Sequence, residues 1–251
     1  MTTRHRLHPT FIPVPKLDEA TLARLEAVRY ASMPSLVGRS REVDFERYRK
    51  IVSTFDTCCV FKDENDKTEG GLVISRKQRE AGGRRFVWEQ IEQLYLDPEF
   101  RGLHVFIDAW VRFTLRARLR YPSRPVVFCV PVFPGSWLDL SDRLSAAVLW
   151  GEERTSPWQE SVIEALLPEV AGSHEVLRES KVLQLAVTSG SKAPPHFHHA
   201  GHRRAFERYE ARAPEWREGR VPILMAPVHW RDLGRALVTD FSYKARGRLG
   251  R

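Results

Sequence analysis

LYLDPEFRGLHVFIDAWVRFTLRARLRYP, residues Leu94–Pro122, is the stretch on which the reading of this chain turns. It opens as the end of a β-rich run, bends at Asp97-Pro98 and passes an Arg101-Gly102 pair. It then continues as one long helical pattern that stops before Tyr121-Pro122. A strand that feeds a helix through such a turn leaves unpaired N–H groups at the helix start. With the positive end of the helix dipole, they make a place for a phosphate or another anion.

Working upstream, Arg85–Leu96 predicts a long strand. Its polar residues Glu89, Gln90, Glu92 and Gln93 break strict alternation, so an irregularity such as a bulge is expected. Before it, TCCVFK (Thr57–Lys62), the charged turn DENDKTEG and the run GLVIS predict a hairpin, with REAGG as the next turn. Leu22, Leu25 and Val28 share a helical face behind Asp18, a natural N-cap. Phe45, Tyr48, Val52 and Phe55 predict a second amphipathic helix. Phe11 and Ile12, bounded by Pro9, Pro13 and Pro15, suit an edge strand.

Downstream, PVVFCVPV is apolar throughout, as a strand buried on both faces would be. Two helices are expected between Ser136 and Gly172, the first holding Leu144, Ala147 and Val148. The second starts at Ser156-Pro157 with Gln159 completing a capping box. Lys181–Thr188 predicts a strand and Arg203–Arg212 a charged helix. Val221–Val228 predicts a last strand that Pro222 and Pro227 push toward a sheet edge. The order predicts an α/β fold: a mixed, mostly antiparallel central sheet with helices on both faces. Residues 1–190 are expected to form the main domain and 191–251 a C-terminal extension that completes it or packs on it.

Composition sets the outer limits. A hydrophobic content of 42% and seven tryptophans are enough for a real core and exclude a disordered chain. Net charge is +8, with arginine far more frequent than lysine, which favours anionic partners or a solvated surface. Cys58, Cys59 and Cys129 cannot all pair and sit in apolar runs, so reduced core thiols are expected. No run is long and apolar enough for a membrane helix and no secretory h-region is visible, so a cytoplasmic protein is expected.

Two helices, a three-strand meander, an Arg-Gly turn, a long helix and a buried strand resemble the GNAT acyltransferase superfamily. The motif that carries the resemblance is LYLDPEFRG at Leu94–Gly102, similar to the family's fourth strand and the turn after it. The resemblance covers roughly residues 5–190. It implies that an acyl thioester lies where the fourth and fifth strands splay, its pantetheine arm paired with the backbone of Leu94, Tyr95 and Leu96. It implies a pyrophosphate held by the amides of Arg101, Gly102, Leu103, His104 and the residues up to Phe106. An amine would attack the thioester, with Glu92, or less readily Glu89, as the base.

The chain also departs from the family's pattern. His104 and Phe106 stand where small residues usually let the backbone approach the pyrophosphate. The tyrosine often found after the fifth strand is replaced by the stretch Phe133-Pro134-Gly135-Ser136-Trp137. The donor is therefore expected to be either acyl-CoA or an acyl group on acyl carrier protein, whose phosphopantetheine carries no nucleotide. Arg112, Arg116 and Arg120 recur at four-residue intervals, where an acidic carrier could dock or a helix could simply show its solvated face.

Other readings stand beside this one. The lost glycines suit a GNAT-fold module that binds a ligand or a protein without catalysis, and the basic surface suits nucleic acid less well. His196, His198, His199 and His202 lack an Asp, Glu or Cys at metal-ligand spacing, so no metal is expected. Arg203, Arg204, Arg208 and Arg212 are interleaved with Glu207 and Glu210, as on a solvated helix face.

Overall fold

A computed structural model describes residues 7–32, 40–100, 105–172, 174–185, 197 and 200–238. The chain divides into two compact units, Met1–Arg76 with Gln90–Phe113 and Lys77–Glu89 with Thr114–Arg251. Two strands, β3 (Thr68–Ala81) and β4 (Arg84–Leu96), run through both.

In the first unit the strand order is β1 (His8–Pro13), β2 (Thr57–Lys62), β3, β4. The β1–β2 and β2–β3 pairs are antiparallel. Helix α1 (Glu19–Ser32) begins where expected: the Thr21 amide donates to Asp18 Oδ1 at 2.7 Å. Helix α2 (Arg41–Val52) follows. Leu22 and Leu25 of α1 and Tyr48 and Val52 of α2 bury against Cys58, Val60 and Val73 of the sheet, with Phe55 just past α2 closing the cluster. The β2–β3 turn is built by Asp63, whose Oδ1 accepts from the amides of Asn65 and Lys67. β3 is longer than its apolar run suggests: Arg79, Glu80 and Ala81 extend it, and the turn shrinks to Gly82-Gly83, both at positive φ.

In the second unit β4 continues the order to β5 (Val126–Pro131), β9 (Arg220–Val228), β8 (Val182–Gln184) and β7 (Glu175–Leu177), with β6 (Val148–Leu149) also on β9. β4 and β5 are parallel, while the β5–β9, β6–β9, β8–β9 and β7–β8 pairs are antiparallel. Alternate side chains serve opposite faces. Phe86, Trp88, Val127 and Cys129 pack under α5 (Pro157–Ala171), and Val87 and Val126 pack against Ala117 of α3 (Val105–Arg120). Helices on both faces of a mixed, mostly antiparallel sheet are thus present as expected. The Ser156 capping box is also in place, with Gln159 and Ser156 exchanging bonds of 3.0 and 3.3 Å.

Three expectations need correcting. Leu144, Ala147 and Val148 are not in a helix: α4 is Pro134–Arg143, and Val148–Leu149 pairs with Leu224 and Met225 as a strand. Their apolar spacing fits a buried two-residue strand as well as a helix turn. β9 lies inside the sheet rather than at its edge. Backbone direction alternates along a strand, and the Pro222 carbonyl accepts from the Val132 amide while that of Ile223 accepts from Trp150. Pro227 therefore faces the β6 side, two residues beyond the last β6 partner, Met225, where no ladder bond is missed. Finally, β7 and a helix spanning 230–238 (α7) are elements that the sequence reading did not include. Among the described residues, no helix is long and apolar enough to cross a membrane.

Candidate active site on the fourth strand

The irregularity expected in β4 is a single residue, Gln93, with φ of 54°. A non-glycine residue in the left-handed region is uncommon and interrupts the regular pleat of the strand. The Tyr95 hydroxyl donates to Gln93 Oε1 at 3.0 Å. Gln90 Nε2 donates to Glu92 Oε1 at 2.7 Å. Two hydrogen-bonded pairs of polar side chains, Gln90 with Glu92 and Gln93 with Tyr95, thus follow one another in a line along the strand within the first unit.

That line is anchored from α1 and α2. Arg29 lies 5.8 Å from the Tyr95 ring centre and 5.3 Å from that of Tyr48, and its guanidinium is paired with the Asp44 carboxylate. Burial alone would lower the Arg29 pKa, but the bonds to Asp44 and the interaction with Tyr95 raise it, so the cation is firmly held. Burial pushes the Tyr95 phenol up, and Arg29 opposes that shift only in part.

The backbone of the same segment is also settled. The Asp97 amide donates to the Glu69 carbonyl at 2.8 Å, and a Cβ on Gly70 would overlap the Tyr95 carbonyl oxygen. Tyr95 and Asp97 therefore turn their main-chain groups toward β3, and Leu94 and Leu96 turn theirs the other way. The Leu96 carbonyl accepts from Ser32 Oγ at 2.8 Å. Leu94, whose side chain is exposed, is the next residue along that edge.

Glu89 has a different environment. It is fully buried in the second unit, and Thr114 Oγ1 of α3 donates to its Oε2 at 2.6 Å. β4 pairs with β5 over Val87–Glu89 and Val126–Phe128. The two carboxylates proposed from the sequence thus divide: Glu92 is half-buried beside an amide donor, and Glu89 is sealed against a threonine. Arg101, Gly102, Leu103 and His104 lie outside the described residues. Of the histidine run, His202 is described: it sits in α6 (Ala200–Arg212), buried, with Nε2 2.8 Å from Asp142 Oδ2. Among the described residues no three His, Cys, Asp or Glu are grouped to hold a metal.

The sequence reading missed Arg29, Asp44, Ser32 and Thr114. For two of them a signal was present. Arg29 is four residues past Leu25, and Asp44 is four before Tyr48, so both charges stand on apolar stripes. A charge in that position has to be paired on folding.

No family model matches the chain, and no curated protein matches it. Several solved structures do. The chain is similar to the GCN5-related N-acetyltransferase from Kribbella flavida, at 20% identity and a TM-score of 0.38, over 56% of this chain and 34% of that one. It spans about a third of that protein's length. It is also similar to a spermidine N-acetyltransferase SpeG chimera from Vibrio cholerae and hSSAT, at 11% identity and a TM-score of 0.42, over 91% and 98% of the two chains. A third likeness is to Escherichia coli ElaA, at 12% identity and a TM-score of 0.37, over 59% and 95%.

Proposed function

We propose that the protein is a cytoplasmic N-acyltransferase of the GNAT kind, moving an acyl group from a thioester donor to an amine. The observation that carries this reading is Glu92, half-buried beside the Gln90 amide and next to the irregularity at Gln93, on the strand that precedes α3. In the reaction the amine nitrogen bonds to the thioester carbon and the C–S bond breaks. Glu92 takes the proton the nitrogen sheds, and the sulfur leaves as a thiolate that is protonated in turn. Gln90 fixes the orientation of the Glu92 carboxylate. Glu89, bonded to Thr114, holds β4 on α3 and is the less suited of the two to meet a substrate.

The pantetheine arm of the donor would run along Leu94, Tyr95 and Leu96. Ser32 already bonds to the Leu96 carbonyl, so the main chain of Leu94 is the natural partner for a pantetheine amide. Arg101, Gly102, Leu103 and His104, outside the described residues, would meet the phosphate end. With His104 in that segment of the sequence, a phosphopantetheine on acyl carrier protein suits it as well as acyl-CoA does. Incubation with acyl-CoA and acyl-carrier donors and a panel of small amines tests the reading. An N-acyl product with stoichiometric thiol release supports it, and no product from any pair overturns it.

A further inference from the structure

In the second unit, α7 and the part of α3 from Thr114 onward leave large apolar side chains in solvent. Leu119 of α3 is 66% exposed, Trp230 at the start of α7 is 47% exposed, and Leu237 is 52% exposed. Leu115 lies one turn before Leu119, and Leu237 is seven residues past Trp230, two helical turns along the same face. Arg118 joins the helices, its guanidinium 5.2 Å from the Trp230 ring centre. The buried side of α7, at Leu233 and Ala236, already supplies its packing, so the exposed stripe is additional to what folding needs.

Among the described residues, arginines stand beside this stripe. Arg118 donates to the Arg124 carbonyl and Arg231 to the Ser145 hydroxyl, both neutral acceptors that leave the positive charge in place. Arg120 and Arg124 stand over the Tyr121 ring. The acid within α7, Asp232, is fully buried and caps the amides of Ser145 and His229.

Exposed Trp and Leu side chains with arginine beside them fit the boundary between lipid headgroups and acyl chains. There the apolar groups enter the hydrocarbon edge and the cations meet anionic headgroups. We infer that the α3–α7 face is a docking surface for an anionic phospholipid bilayer, on which the protein binds reversibly. An acidic protein would satisfy the arginines, but it would have to supply a matching apolar groove for side chains spread along two helices. The inference is independent of the proposed acyl transfer.

Sedimentation of the full chain with vesicles tests it. One set is pure phosphatidylcholine, the other contains about a third phosphatidylglycerol. The expected result is binding to the anionic vesicles, weaker by at least about tenfold on neutral ones and reduced by salt. Trp230→Ser combined with Leu237→Ser, both at exposed positions, is expected to reduce binding by at least about tenfold. Circular dichroism of that variant confirms its fold. Absence of binding to anionic vesicles overturns the inference. So does binding that the double variant leaves unchanged, which would mean charge alone acts. Salt-sensitive binding to an acidic protein without any vesicle binding assigns the face to the other class of partner and overturns it too.

Discussion

The Arg29–Asp44 pair offers the sharpest physical test of how the β4 segment is held. The two side chains are 8% and 4% exposed, and one of their two hydrogen bonds measures 3.3 Å. Asp44→Asn keeps the shape but leaves the guanidinium in the core between the rings of Tyr48 and Tyr95 with its counter-charge gone. Breaking one side of a buried pair costs about 3–5 kcal/mol. With a urea m-value of about 2–3 kcal/mol/M, the unfolding midpoint falls by about 1–2.5 M. Removing both charges, as Arg29→Met with Asp44→Leu, is expected to recover most of that loss, because the desolvation penalty disappears with the pair. The assay is urea unfolding of the wild type, both single variants and the double variant, followed by circular dichroism. A loss below about 1 kcal/mol for Asp44→Asn, or a double variant as unstable as the single, would refute the reasoning.

Other outcomes follow from local chemistry. Gly70→Ala forces a methyl onto the Tyr95 carbonyl and Leu96, with Leu96 Cδ2 only 2.7 Å away; it should cost about 2 kcal/mol or more, read as a lower thermal midpoint. Burial alone would raise the Glu169 pKa, but its bonds to Lys77 and Arg79 bring the carboxyl below its ordinary value of 4.5. The stability it contributes is therefore present above that pH and lost as pH falls below it. Glu169→Gln should flatten the acid limb of a stability–pH curve, and an unchanged limb would contradict the assignment. Burial pushes the Cys58 thiol up to about 12 and those of Cys59 and Cys129 upward as well. A thiol reagent should find all three unreactive in the native protein and reactive after guanidinium unfolding.

Much of this fold was legible because its signals are local. The Ser156 box, the Asp18 cap, the Asp63 turn and the apolar stripes of α1 and α2 each act within a few residues and appear where the sequence places them. β6, by contrast, is two residues long and owes its state to β9 pairing, which no local pattern announces. Pro222 and Pro227 suggest an edge strand by sequence alone, because the direction in which each missing N–H faces is fixed only by the pairing of β9. The polar break in β4 announced an irregularity, but that it falls at Gln93 is not written in the alternation of the neighbouring residues. Arg29 and Asp44 each stood out on an apolar stripe, yet their partnership exists only after two helices pack.

The most direct test of the central claim is a comparison of the wild type with Glu92→Gln, using whichever donor and amine give product. Donor affinity is measured by equilibrium binding and turnover by thiol release. Loss of a positioned general base predicts a fall in kcat of about 10²–10⁴-fold with donor affinity unchanged. Turnover within about twofold of the wild type would contradict the account and remove Glu92 from the chemistry.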